Sequence, residues 1–132
     1  MKRAGFTMIE LIFVIVILGI LSAVALPKFI GVSDQAKAGK CKAFVGTLNR
    51  TVGPTVWATS IAEDNNGSVS TYLDSTAHTS TYIDIPAECD NPNNDGKLVE
   101  DYSLTFGNNT YDMNFTDGNA SNSPRWTWKK QP

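Results

Sequence analysis

The sequence has little of the chemistry that enzymes and nucleic-acid-binding proteins need. It contains one histidine, His78, in a polar stretch, and neither a nucleophile elbow nor a phosphate-binding loop. With 11 lysines and arginines against 13 acids, its formal charge of −2 offers no excess of positive charge to a polyanion. Together these shortages predict a protein that is not an enzyme and needs no cofactor, and the bulk charge gives no indication of nucleic-acid binding.

Cysteine is also scarce, because Cys41 and Cys89 are the two in the chain. Outside the cytoplasm an even pair of cysteines favours a disulfide, and a metal site built from two cysteines with no nearby histidine is disfavoured. Such a bridge would stabilise the fold by about 4 kcal/mol on the chain-entropy model. Two buried free thiols are the alternative.

Long apolar runs are absent except for one at the N-terminus. Phe6 to Leu26 is a stretch of 21 residues, about 31 Å as a helix, which matches one hydrocarbon core. Lys2 and Arg3 precede it and would hold the N-terminus in the cytoplasm, so that everything after Pro27 lies outside. We therefore expect a single-pass membrane protein at most.

A basic start followed by an apolar run is found both in membrane helices and in secretory signal peptides. A secretory signal peptide would be cut at Ala23-Val24-Ala25 and would release a soluble binding module that starts at Leu26. Glu10, at the entrance to the apolar run, argues against it, because an acid costs roughly 2–3 kcal/mol at the membrane centre and less near an end. A disposable segment has no need of that acid. A stationary membrane anchor that never polymerises is a further alternative.

The residues around this acid match a known family. Gly5-Phe6-Thr7-Met8-Ile9-Glu10-Leu11, followed by the apolar run and Pro27, resembles the N-terminus of type IV prepilins over about residues 1–30. The resemblance implies a leader of residues 1–5, cleavage after Gly5 by a prepilin peptidase, and methylation of the new N-terminal Phe6. It also makes Glu10 the assembly carboxylate of residues 6–27, the transmembrane and assembly helix.

The physical role of that carboxylate can be stated separately. Cleavage leaves a cationic amine on Phe6, and pairing it with the Glu10 carboxylate of a neighbouring copy would neutralise both charges in an apolar medium. The resemblance thus implies a homopolymer, handled by an inner-membrane assembly platform. The subunit would span the inner membrane before assembly and lie in an extracellular or periplasmic filament afterwards. A type IV pilin and a major pseudopilin of a type II secretion system are both consistent with it.

The chain after Pro27 shows a second helical pattern. Ser33-Asp34 could cap a fresh start, and Cys41, Val45, Leu48, Val52 and Val56 recur at helical spacing. We expect an amphipathic helix over about residues 33–61 with a kink or break at Gly53-Pro54. Its apolar face would pack on a sheet.

Strand patterns follow toward the C-terminus. Apolar residues alternate with polar ones in three segments that end the chain: Tyr102, Leu104 and Phe106; Tyr111, Met113 and Phe115; Trp126 and Trp128. Gly107-Asn108-Asn109 reads as a hairpin loop, and residues 69–73 and 82–85 are two weaker strand candidates. The prediction is an α+β fold in which a long N-terminal helix packs on an antiparallel meander, with residues 28–132 as an extracytoplasmic head.

Two surface features are weaker. Asn91, Asn93 and Asp95 have the opening spacing of a calcium loop, but the twelfth position is Tyr102 rather than a bidentate glutamate, which favours a plain turn. Charge is also segregated, since residues 28–62 carry five bases and one acid whereas residues 63–117 carry eleven acids and one base. Docking of an acidic head on a basic helix of a second copy, or two separately solvated surfaces, would explain this.

Overall fold

A computed structural model describes residues 4–91, 93 and 96–132 of the chain. Its longest element is helix α1, Met8–Thr47, which contains Pro27 in its interior. The residues up to Asp34 and those from Gln35 to Pro132 form two separate compact units, so each is described by itself. The expected α+β class is confirmed, since a long N-terminal helix is followed by an antiparallel sheet.

The expected fresh helix start at Ser33-Asp34 is wrong. Helix α1 continues through both residues without a break. A proline removes one backbone donor and disturbs the turn before it, but long stretches of helix on either side of Pro27 hold the backbone in register. Ser33 and Asp34 therefore cap nothing, and their side chains lie on the helix surface or half-buried.

The helix changes its hydrogen-bond pattern before Gly53-Pro54 rather than breaking there. Leu48–Val52 form a π-helical turn, and helix α2, Gly53–Ala62, follows directly with the proline in its first turn. The Gly53 N–H donates to the Leu48 carbonyl, one residue farther back than in an α-helix. Pro54 has no backbone N–H to donate to the preceding turn, so we attribute the change of hydrogen-bond pattern to this residue. The chain remains helical through the change.

The three strands form one antiparallel sheet in the order β1-β2-β3, with β1 Tyr102–Phe106, β2 Asn109–Thr116 and β3 Arg125–Lys130. This is the expected meander. Tyr102 pairs with Met113, and Phe115 pairs with Trp126. The first hairpin turns on Gly107, whose φ of 59° suits a residue without a Cβ.

The core of the second unit lies between the helices, the sheet and the long loop before it. The helical contribution repeats every three or four residues, as expected for one buried face. It consists of Ala38, Cys41, Phe44, Val45, Leu48, Val52 and Val56. The sheet adds Tyr102, Phe106, Met113 and Trp126, and the loop adds Val69, Leu73, Cys89 and Leu98. The chain thus buries the helical face that its sequence pattern predicts.

Two expected strands in the long loop are wrong. Residues 69–73 contain the short 3-10 turn Ser70–Tyr72, and residues 82–85 have no regular structure. The N–H groups of Tyr82 and Ile83 both donate to the Thr79 carbonyl, at the end of helix α3, Thr76–Thr79. These donors close a helical turn and are therefore not available to a strand ladder.

The predicted disulfide is confirmed. Cys41 and Cys89 are bonded, with their Cα atoms 5.3 Å apart, and both are buried. The Tyr102 hydroxyl donates to the Cys89 carbonyl at 2.7 Å. Burial, with a smaller contribution from the Asp90 charge, raises the pKa of Tyr102 and so keeps this donor protonated. The bridge joins the helix to the loop that has the least regular structure.

Candidate membrane and assembly segment

The first half of helix α1 is apolar on every side. Its large apolar side chains between Met8 and Val32 are exposed, from 41% at Ile17 to 80% at Met8. A helix that is apolar all round is typical of a membrane span or of a helix buried among other helices. Its one internal hydroxyl, Ser22, donates to the Leu18 carbonyl at 2.7 Å and is satisfied within the helix.

This helix is long and apolar enough to cross a membrane, as judged by length and composition. A Cβ added to Gly19, in the apolar run, would have no atom of a described residue within 4 Å apart from the nearby backbone of its own helix. A helix surface with such an open position accepts close approach by another helix. The segment therefore has the geometry to sit in lipid and to pack against apolar helices.

The described residues before the helix, Ala4–Thr7, are exposed. Ala4 to Thr7 are not helical, and helix α1 begins at Met8. The Gly5–Phe6 peptide bond, where the sequence predicts cleavage, lies in this exposed segment. A peptidase binds backbone that is not already engaged in a helix, so this bond is accessible to one.

Glu10 begins the helix together with Thr7. The Glu10 N–H donates to Thr7 Oγ1 at 3.3 Å, while the Thr7 N–H and hydroxyl donate to Glu10 Oε2 at 2.8 and 2.9 Å. This is a capping box, in which two residues three positions apart satisfy each other's groups at a helix start. The spacing Thr-Met-Ile-Glu carried this signal in the sequence, but our interpretation of the sequence assigned Glu10 to assembly alone.

The weak calcium candidate remains a turn where it can be described. The Asn93 N–H donates to Asn91 Oδ1 at 3.0 Å, which is the geometry of an Asx turn. Asp95, the third predicted ligand, lies outside the described residues. Among the residues that the structure describes, no three His, Cys, Asp or Glu side chains form a group that could hold a metal ion.

Part of the segregated charge is paired within the chain. Lys40 Nζ lies 3.1 and 3.0 Å from the two carboxylate oxygens of Glu88, beside the disulfide. A hydrogen bond from the Glu88 backbone, and to a smaller extent the contact with Lys40, lower the pKa of Glu88. An exposed pair of this kind adds little stability. The basic helix thus meets one acid of the loop of its own chain.

A carboxylate that sequence reasoning missed holds the long loop to the sheet. Asp117 follows β2, and its Oδ2 accepts hydrogen bonds from the hydroxyls of Ser68 and Ser70, both at 2.6 Å. Its Oδ1 accepts from the N–H groups of Val69 and Gly118, both at 2.8 Å. Burial alone would raise the pKa of Asp117, but these four donors outweigh it and lower the pKa.

A second missed residue joins the π-helical turn to the sheet. Asn49 Nδ2 donates to the Trp126 carbonyl at 2.8 Å, and Asn49 Oδ1 accepts from the Trp126 N–H at 2.9 Å. The Trp126 ring is 1% exposed and donates to the Leu98 carbonyl at 2.7 Å. The available signal was an asparagine at helical spacing from Val45 and Val52, on the apolar face of the predicted amphipathic helix, because an amide buried there needs partners.

Comparison with known proteins points to the same N-terminal segment. Residues 1–26 match the family described as "Prokaryotic N-terminal methylation motif". The "Type IV narrow pilus major component PilA5" of Thermus thermophilus is 58% identical over 36 residues. Those residues are 27% of this chain and 31% of the relative, so the chain aligns with less than a third of the relative's length. No solved structure matches the chain.

The two matches, the capped helix start and the apolar helix concern the same part of the molecule. The unit Gln35–Pro132 has the helix-on-meander arrangement that the resemblance implied. Over its first 26 residues the chain matches the N-terminal methylation motif, and over 36 residues it is similar to a type IV pilus component.

Proposed function

We propose that the chain is a structural subunit of a type IV pilus-like filament. It is cleaved after Gly5 by a prepilin peptidase, methylated at Phe6 and polymerised through helix α1. The observation that carries this proposal is an apolar helix, exposed on all sides, whose only acid before Pro27 is Glu10 at its start. A surface of this kind needs lipid before assembly and other apolar helices afterwards.

Glu10 supplies the register of that assembly. A carboxylate at the start of the apolar helix of one subunit pairs with the Phe6 amine of a neighbour, and each charge compensates the other. The apolar side chains of the helix provide cohesion without direction, so they cannot by themselves set the axial position of one subunit against the next. The chain's partners are copies of itself or related pilins and the inner-membrane assembly platform. The subunit moves from the inner membrane into the filament.

The relative's printed name, a pilus component, favours a pilus over a pseudopilus. The cleavage and methylation motif belongs to both, so the pseudopilin remains the alternative within the same class. Imaging of the cell surface separates them, because a pilus extends far beyond the outer surface whereas a pseudopilus stays in the periplasm.

The first test is the N-terminus of the mature protein, measured by mass spectrometry on sheared surface material. We expect N-methyl-phenylalanine at Phe6. A mature chain that starts at Leu26 would overturn the proposal and would indicate a secreted soluble domain. A second test compares Glu10→Ala with the control Asp84→Asn, which removes an exposed acid of the head. Filaments should be lost in the first variant and retained in the second.

A further inference from the structure

The hydrogen bonds that cap helix α1 use one of the two carboxylate oxygens of Glu10. Both donors of Thr7, its N–H at 2.8 Å and its hydroxyl at 2.9 Å, bond to Oε2. Oε1 accepts no hydrogen bond from any residue that the structure describes. The carboxylate is therefore held in place by its own chain and still presents one acceptor to its surroundings.

From this asymmetry we propose that Thr7 is a positioning residue for subunit assembly. It orients Glu10 so that Oε2 caps the subunit's own helix while Oε1 accepts the terminal amine of a second copy of this chain. This inference rests on the proposed function, because it needs cleavage at Gly5–Phe6 to create the amine. It adds a residue that the pairing of Glu10 with Phe6 does not by itself require.

The physical advantage is that the Glu10 side chain is already ordered before two subunits meet. A glutamate side chain that is free to rotate loses that freedom when it pairs, which opposes association. Here the capping box fixes the side chain in the unassembled subunit, and the Thr7 N–H and hydroxyl also offset the loss of water around the charge. A carboxylate has about four lone-pair sites, so accepting an additional ammonium does not require the cap to open.

The hydroxyl of Thr7 can be removed without changing the shape of the side chain. Thr7→Val keeps the shape and the backbone N–H but removes the hydroxyl, which both donates to Oε2 and accepts from the Glu10 N–H. Thr7→Ser keeps the hydroxyl and removes only a methyl group. The two variants therefore separate hydrogen bonding from side-chain shape at one position.

The experiment co-expresses an unaltered copy of the full chain with a copy that carries an epitope tag after Pro132. For each tagged variant, its amount in sheared filaments is divided by the amount of its cleaved, methylated form in the membrane. This ratio reports incorporation and removes any effect on processing. We expect Thr7→Val to lower it about tenfold, the factor carried by one hydrogen bond to a charged group, and Thr7→Ser to stay within about twofold.

A double-variant cycle distinguishes positioning from a general effect on the helix. In a Glu10→Gln background, adding Thr7→Val should cause little further loss, because Thr7 acts through the carboxylate. If Thr7→Val incorporates like the unaltered chain, or if it lowers incorporation about tenfold in both backgrounds, the inference is overturned. Absence of filaments from the unaltered chain, or a mature N-terminus other than Phe6, would overturn the proposed function first. Normal filaments with unaffected Thr7 variants would overturn this inference alone.

Discussion

Replacing Asp117 is expected to loosen the long loop of the head from the sheet. The carboxylate accepts four hydrogen bonds, three of them from the consecutive residues Ser68, Val69 and Ser70. The fourth donor is the N–H group of Gly118. Val69 is fully buried, so the loop cannot move away without exposing core surface. Asp117→Ala leaves all four donors without this acceptor.

The magnitude follows from the hydrogen bonds rather than from the pKa. A hydrogen bond to a charged group contributes about 1.5–3 kcal/mol to stability. The four contributions do not add, because Asp117 is half-buried, water can reach part of the site, and the variant also escapes the desolvation of the charge. We therefore expect the free energy of unfolding to fall by about 2–3 kcal/mol in Asp117→Ala. Asp117→Asn, which keeps one acceptor oxygen, should lose about 1 kcal/mol.

The pH dependence of the free energy of unfolding provides a second, independent test of this prediction. Because the pKa of Asp117 is lowered in the folded protein, the unfolded chain binds the proton more readily. The contribution of Asp117 is therefore complete above the ordinary aspartate pKa, about 3.9, and is lost as the pH falls through the lower folded value. The stability difference between the unaltered chain and Asp117→Asn should be constant near neutral pH and should shrink below about pH 4.

Urea unfolding of the full chain in mild detergent measures these differences through tryptophan fluorescence, since all three tryptophans lie after Asp34. The matched control is Asp84→Asn, because Asp84 is exposed and makes no hydrogen bond with the residues that the structure describes. The reasoning is refuted if Asp117→Asn and Asp84→Asn unfold at the same urea concentration. It is also refuted if the Asp117→Asn difference is as large at pH 3 as at pH 7.

Three further predictions concern the contacts of the head, each measured by the same unfolding assay. Replacing Cys41 and Cys89 together by serine should lower the free energy of unfolding by up to about 4 kcal/mol, whereas adding a reductant to that variant should change nothing. Asn49→Ala should cost about 2 kcal/mol by leaving the backbone of Trp126 unpaired. Gly53→Ala should destabilise although alanine favours helices, because its Cβ would lie 3.0 Å from Trp126 Cζ3. Unchanged unfolding in any of the three would contradict the corresponding contact.

The strands and the buried helix face could be predicted because their patterns are local. Alternation in β1, β2 and β3 and the spacing from Cys41 to Val56 each reflect one face toward one core. The cysteine pair was predictable because the chain offers one possible partner for each thiol. The strand and helix patterns lie within short stretches of sequence, and the disulfide needed only the number of cysteines.

The long loop could not be predicted because its partners are distant in sequence. Val69 resembles a strand residue, yet its N–H donates to Asp117, 48 positions later. Asn49 meets Trp126 from 77 positions away. The π-helical turn at Leu48–Val52 likewise depends on Pro54 beyond it. Periodicity reports which side of an element is buried, but it says nothing about which distant group satisfies a polar atom.

The division of contacts supports the proposal that the subunit moves from lipid into a filament. Every buried core residue among those described, from Ala38 to Trp126, belongs to the unit that begins at Gln35. The residues before it contribute an apolar surface to no internal core. In the proposed assembly, transfer of that surface from lipid to a bundle of like helices would exchange one apolar contact for another. The contacts of the head, including the disulfide and the hydrogen bonds of Asp117 and Asn49, need not change during this step. We therefore expect the proposed polymerisation to reorganise the N-terminal segment around Glu10 without refolding the unit Gln35–Pro132.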